Sequence, residues 1–179
     1  MERLRRFIWY LAGRLFLLLT LLSLFTVTFY YAMNATNIYI VLKDGMAKRA
    51  QVIMMEEDAS ELTKFFQSSY LQRDQNLQIA LEGKSPYTYY TVRGIDHRLK
   101  MTWMWCWPWD TTARAEFTET IPRIDGRVKS SSADAARALY GDGFEYPPKW
   151  QGGRYSATLV KENGQWHVRS LTLLAQVDE

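Results

Sequence analysis

A chain of 179 residues, 47% of them apolar and 15% aromatic, is long enough for one domain with a proper core and too short for several. Its formal charge of +3 lies wholly in residues 1–33, which hold four of the 22 Lys and Arg and one of the 19 Asp and Glu; the neutral remainder argues against nucleic-acid binding and against a general affinity for anionic surfaces. Cys106 is the single cysteine, so no internal disulfide forms, and two isolated His offer no metal-ligand spacing.

Residues 1–14 read as a basic tail, with Arg3, Arg5, Arg6 and Arg14 opposed only by Glu2. Residues 15–33, LFLLLTLLSLFTVTFYYAM, carry no charge at all. At ~1.5 Å per residue this run reaches about 28 Å as a helix, close to the ~30 Å hydrocarbon core of a bilayer. Its Leu, Phe and Val side chains together favour insertion by about 3–7 kcal/mol. Ser23, Thr20, Thr26 and Thr28 oppose it, and their hydroxyls can bond back to helix carbonyls. A cleaved signal has an apolar region of only ~7–15 residues ending in a small-x-small site. Here the run is longer and ends in Phe29, Tyr30 and Tyr31, with Ala32 and Ala35 wrongly spaced. The expectation is a retained single-pass anchor. Trp9 and Tyr10 at one end, and Tyr30 and Tyr31 at the other, suit the two headgroup belts, and Arg14 can snorkel. The cation bias predicts a cytoplasmic N-terminus and an extracytoplasmic remainder in the cell membrane.

Residues 34–57 continue as a helix leading into the domain, with Ile38, Val41, Leu42, Met46, Ala50, Ile53 and Met54 at three- to four-residue spacing. Gly45 weakens this helix by roughly 1 kcal/mol relative to Ala and marks a bend. Lys43, Asp44, Lys48 and Arg49 read as a solvated face, with outer-leaflet phosphates as an alternative contact for the cations. Asn34-Ala35-Thr36 has the form of a glycosylation sequon but lies very near the span. Residues 58–179 make up the rest of the domain. Asp58-Ala59-Ser60-Glu61 has the form of a capping box, opening a helix with Leu62, Phe65, Phe66, Ser69 and Tyr70 on one face. Residues 77–81 form a short strand or a turn of helix, and residues 87–95 a strand.

Within residues 98–109, a further strand, Trp103, Trp105, Trp107 and Trp109 recur at period two and so leave one face. Pro108 places this strand at an edge or a bulge. Large side chains in such a ladder are expected to line the interior beneath the helices, with Trp107 or Trp109 reaching the rim or the membrane interface. The alternative is an exposed aromatic surface for a partner or ligand. Residues 114–122 form the next strand, with Asp125-Gly126 as a turn. Residues 129–148 are loop-like around a short helix over 133–140. Two last strands, 155–161 and 165–174, flank Glu162-Asn163-Gly164, the strongest hairpin signal in the chain.

Helices followed by antiparallel strands give an α+β domain with helices packed on one face of a curved sheet. The closing run from Tyr155 to Leu171, YSATLVKENGQWHVRSL, resembles the terminal hairpin of the nuclear transport factor 2-like superfamily, whose tip carries Asn/Asp-Gly followed by a Trp that packs into a cone. The capped, Phe-rich stretch from Leu62 to Tyr70 is similar to the second helix of that fold. A short basic tail, one span and one exported domain also resemble the membrane-anchored bacterial members that assemble type IV secretion, conjugation or sporulation machinery. The resemblance implies a non-catalytic docking module for membrane or envelope proteins, self-association included, without a cofactor. It equally admits a cone that binds a small apolar ligand or acts on it.

Cone enzymes set an Asp and a His or Tyr inside the pocket. The matching residues here are Asp96, His97, Asp110, Glu116 and Tyr155. Asp96-His97 reads as a turn, and His167 alternates with Trp166, so no catalytic constellation is expected. Cys106 lacks a cationic neighbour in the chain and reads as a buried, inert thiol.

Overall fold

A computed structural model describes residues 2–177. Helix α1 runs without interruption over Glu2–Met55. Its first half is bare: Leu18 and Leu22 are each 62% exposed. The hydroxyls of Thr20, Ser23, Thr26 and Thr28 donate to carbonyls four residues back at 2.8–2.9 Å, which satisfies them within the helix. From there a stripe at helical spacing turns inward, beginning with half-buried Val27 and Tyr31 and continuing through Asn34, Ile38, Leu42, Met46, Arg49, Ala50 and Ile53.

The helix continues unbroken through Gly45. A Cβ at this position would lie 2.8 Å from the Phe65 Cβ, so the glycine serves close approach of a neighbouring segment. Glu56, with φ of 56°, ends the helix.

Asp58 caps as expected, its carboxylate accepting from the Ser60 amide at 2.9 Å. The long helix predicted beyond it is instead a 3-10 turn, Ala59–Lys64, followed by the short helix α2, Ser68–Leu71. Between them the chain is drawn into the sheet: the Gln67 amide donates to the Val168 carbonyl at 2.9 Å and the Val168 amide to the Phe65 carbonyl at 2.7 Å. Leu62 and Phe66 reach the core through this detour. Helix α3, Gln75–Leu81, resolves residues 77–81 as helical, with Asp74 capping it.

Only the last two thirds of the strand expected over 87–95 forms: a 3-10 turn, Pro86–Tyr89, precedes β1, Tyr90–Ile95. The remaining elements are β2, Arg98–Trp105; β3, Thr112–Thr120; β4, Ile124–Val128; α4, Ala133–Tyr140; β5, Gly152–Glu162; and β6, Gln165–Val177. They make two antiparallel sheets, β1-β4 and β2-β3-β5-β6. The turn expected at Asp125-Gly126 lies inside β4, where Gly126 faces Val92. A Cβ there would meet the Pro147 ring at 2.9 Å and the Thr91 carbonyl at 3.1 Å. The Asn163-Gly164 hairpin forms as read, with φ of 51° and 83° at its two residues.

The core joins Ile38, Leu42, Met46 and Ala50 of α1 to Ala113, Ala115 and Phe117 of β3, Ala157 and Leu159 of β5, and Trp166 and Val168 of β6. Three alanines on the inner sheet face leave room for the helix to lie close to it.

Candidate functional site

The direction of the tryptophan ladder is set by one extra residue. In β2, Leu99 and Met101 are half-buried on the inner side. Pairing with β3 then slips: Met101 faces Phe117 but Trp103 faces Glu116, leaving Thr102 as a bulge. A one-residue slip in a period-two strand exchanges its faces. Met104 and Cys106 therefore turn inward, and Trp103, Trp105, Trp107 and Trp109 turn outward, 48%, 52%, 40% and 66% exposed. The expectation that most of the ladder is core is overturned. Strand β2 is an edge strand, as Pro108 suggested, and it stops at Trp105; the chain then turns, with the Asp110 amide donating to the Trp107 carbonyl at 3.1 Å.

This turn leans on α1. The Tyr31 and Trp105 ring centroids are 6.4 Å apart, Trp105 and Trp107 are 6.0 Å apart, and Trp107 and Trp109 meet edge-on at 5.3 Å. Asn34 is 5% exposed and its Nδ2 donates to the Pro108 carbonyl at 3.0 Å. The sequon asparagine is thus committed inside the fold. At the other end of the apolar run the Arg14 guanidinium lies 4.6 Å from the Tyr10 ring centroid. Trp9, Tyr10 and Tyr30 are all exposed.

The domain interior carries a polar cluster toward the end of the sheet opposite Trp105. Arg49 Nε and Nη2 donate to the two Asp74 carboxylate oxygens at 2.5 and 2.9 Å, with both side chains buried. Arg49 was expected on a solvated face; its place in the buried stripe of α1, facing α3, makes it an interior cation. Lys48 does stay at the surface, bridging Glu57 and Glu61 at 2.7 and 3.2 Å. Burial alone would raise the Asp74 carboxyl, but the Arg49 hydrogen bonds and charge hold it below the usual carboxylate range. Burial pushes the Tyr70 phenol up; its hydroxyl lies 3.3 Å from Asp74 Oδ2.

His97 Nε2 lies 3.0 Å from Oε1 of Glu119, which has no exposed surface, while the other Glu119 oxygen is buried without a partner. His97 sits in the connection between β1 and β2, as its sequence context suggests, whereas Glu119 is not among the residues singled out from the sequence. Its signal was phase: Glu119 continues the inward series Ala113, Ala115, Phe117 along β3. Of the other residues considered for catalysis, Asp96 pairs with Arg98 at 2.6 Å at the surface, Asp110 is exposed, and Glu116 falls on the outer phase of β3. Tyr155 stacks on Phe117 with centroids 5.7 Å apart. The structure does not bring these residues together. Among the described residues no three His, Cys, Asp or Glu converge as a metal site. Cys106 is 1% exposed, and burial first, then the Asp110 charge, raises its thiol.

A groove of about 640 Å³ opens at the rim near Thr120, Ile121, Pro122, Lys149, Trp150 and Gly152, at the end of β3 that carries Glu119; none of Trp103, Trp105, Trp107 and Trp109 lines it. Comparison with protein-family models, with curated proteins and with solved structures finds no match to this chain.

Proposed function

We propose that this is a single-pass membrane protein, N-terminus in the cytoplasm, whose extracytoplasmic domain is a non-catalytic docking module of a bacterial envelope assembly. The observation that carries the reading is the continuity of α1: bare and uncharged over the length a bilayer needs, then the spine of the domain core with no linker between. A domain held this way has a fixed attitude to the membrane, which suits a part in a larger assembly.

The order of elements supports a nuclear transport factor 2-like cone, with helices first, then antiparallel strands, then a terminal hairpin whose Trp166 enters the core, although the strands form two sheets and not one. The edge of the larger sheet offers a surface for protein. Strand β6 pairs with β5 and is bridged on its other side at Val168, while Leu173 and Leu174 further along are 48% and 44% exposed. Photo-crosslinkers placed at Thr172 and Leu174 of the full chain in its own membranes should give a discrete adduct with an integral-membrane or envelope protein, or with a second copy. A chain that alkaline carbonate extracts from membranes, or that yields no adduct from either position, overturns the reading. A membrane-tethered cone that takes a small apolar ligand is the second reading, favoured by the groove beside Trp150. Its test is ligand-dependent quenching that Trp150→Phe abolishes.

A further inference from the structure

The stripe of α1 that faces the domain starts at Val27, well inside the uncharged run that ends at Met33. The domain therefore begins alongside the last turns of the apolar helix. A span of ~30 Å uses about 20 residues, so the hydrocarbon edge falls near residues 33–34, and the headgroup layer extends ~5–7 Å further. Trp105 packs beside Tyr31 and the Pro108 carbonyl is tied to Asn34, which puts the tryptophan turn at this level. Its indoles are 40–66% exposed in a contiguous row. Trp is the side chain that favours the headgroup layer, where an apolar ring and a polar N–H are both accommodated.

On the premise that α1 is a retained anchor, we infer that Trp105, Trp107 and Trp109 form a second membrane contact, seating the exported domain in the headgroup layer of the bilayer that α1 crosses. The unbroken helix does not let the domain lift away, and a protein partner would have to reach this face through the headgroups. The charges that share this face are of both signs, Arg114 opposite Trp105 and Glu116 opposite Trp103, so the contact needs no anionic lipid and is insensitive to salt.

The test uses the full chain in neutral phosphatidylcholine vesicles in which part of the lipid is brominated near the top of its acyl chains. Trp9→Phe removes the indole of the opposite leaflet. In that variant tryptophan emission should be strongly quenched, equally at low and high salt, and adding Trp105→Phe, Trp107→Phe and Trp109→Phe should remove most of the quenching. Emission from Trp9→Phe that brominated lipid leaves untouched, in protein that resists alkaline extraction, overturns the inference while leaving the anchor standing. Quenching that persists in the combined variant overturns the assignment to these three residues. Release of the chain by alkaline extraction sinks the anchor itself, and the inference with it. The Trp9→Phe measurement decides even if the combined variant does not fold.

Discussion

Arg49 on α1 and Asp74 at the start of α3 form a bidentate ion pair in the domain interior, with Nε–Oδ2 and Nη2–Oδ1 distances of 2.5 and 2.9 Å. The pair ties the long N-terminal helix α1 to the start of α3. Removing one partner leaves the other charge buried and unpaired, so Asp74→Asn or Arg49→Met should cost about 3–5 kcal/mol. Replacing both by Met and Leu should recover much of that loss. Denaturant unfolding in detergent, followed by near-ultraviolet circular dichroism, measures both.

The same pair predicts acid sensitivity. The Asp74 carboxyl is held below its ordinary value when folded, so its contribution is full at neutral pH. It erodes as the pH falls toward about 4, the unfolded carboxyl value, and is gone once the pH is below the folded value. The folded Arg49 value is raised, so that group stays charged throughout this window. Wild-type stability should therefore drop more steeply than that of the double replacement below about pH 5, which unfolding at a series of pH values would reveal.

At Gly45 two effects compete. Alanine gains roughly 1 kcal/mol of helix propensity. Its Cβ would sit 2.8 Å from the Phe65 Cβ, an atom fixed to the backbone, and overpacking of this kind costs about 1–3 kcal/mol. Gly45→Ala should thus be net destabilising, and in a Phe65→Gly background, which removes that Cβ, the same change should cost much less. A double-mutant cycle on melting temperature gives the answer.

Asn34 holds the tryptophan turn to the helix through one partly buried hydrogen bond to Pro108. Asn34→Ala should cost about 1–3 kcal/mol, because the Pro108 carbonyl loses its partner. Expression in a glycosylating host should add no glycan at this asparagine, which intact-mass measurement checks.

Cys106 should behave as an inert thiol in the folded protein. It is 1% exposed and its thiol is raised, so little thiolate forms at neutral pH. Alkylation by iodoacetamide should be slow in native conditions and fast in denaturant; rapid native labelling would show that the β2 turn opens.

Much of the architecture is legible without coordinates where a local rule suffices. The absence of charge across residues 15–33 announces an apolar helix whatever surrounds it. Asn163-Gly164 closes a hairpin because those residues tolerate the positive φ that the turn requires. The short helix over residues 133–140 forms where composition places it. The failures share one cause: each depends on a segment distant in sequence. Phe65 and Phe66 have helical spacing, but hydrogen bonds to Val168 pull them into the sheet. Asp125-Gly126 resembles a turn, but Gly126 is needed where β4 passes under Pro147 and beside Thr91. Arg49 reads as a surface cation until Asp74 is seen opposite it.

The tryptophans divide the two kinds of knowledge most clearly. Trp107 and Trp109 lie past the end of β2, but period two is a property of the strand alone, so the sequence by itself determined that Trp103 and Trp105 share a face, just as composition determined the apolar helix. Which face they take was decided by the bulge at Thr102, where β2 slips against β3, and pairing register is a relation between two strands that neither encodes alone. The packing of that face beside Tyr31 arises only when α1 is laid across the sheet.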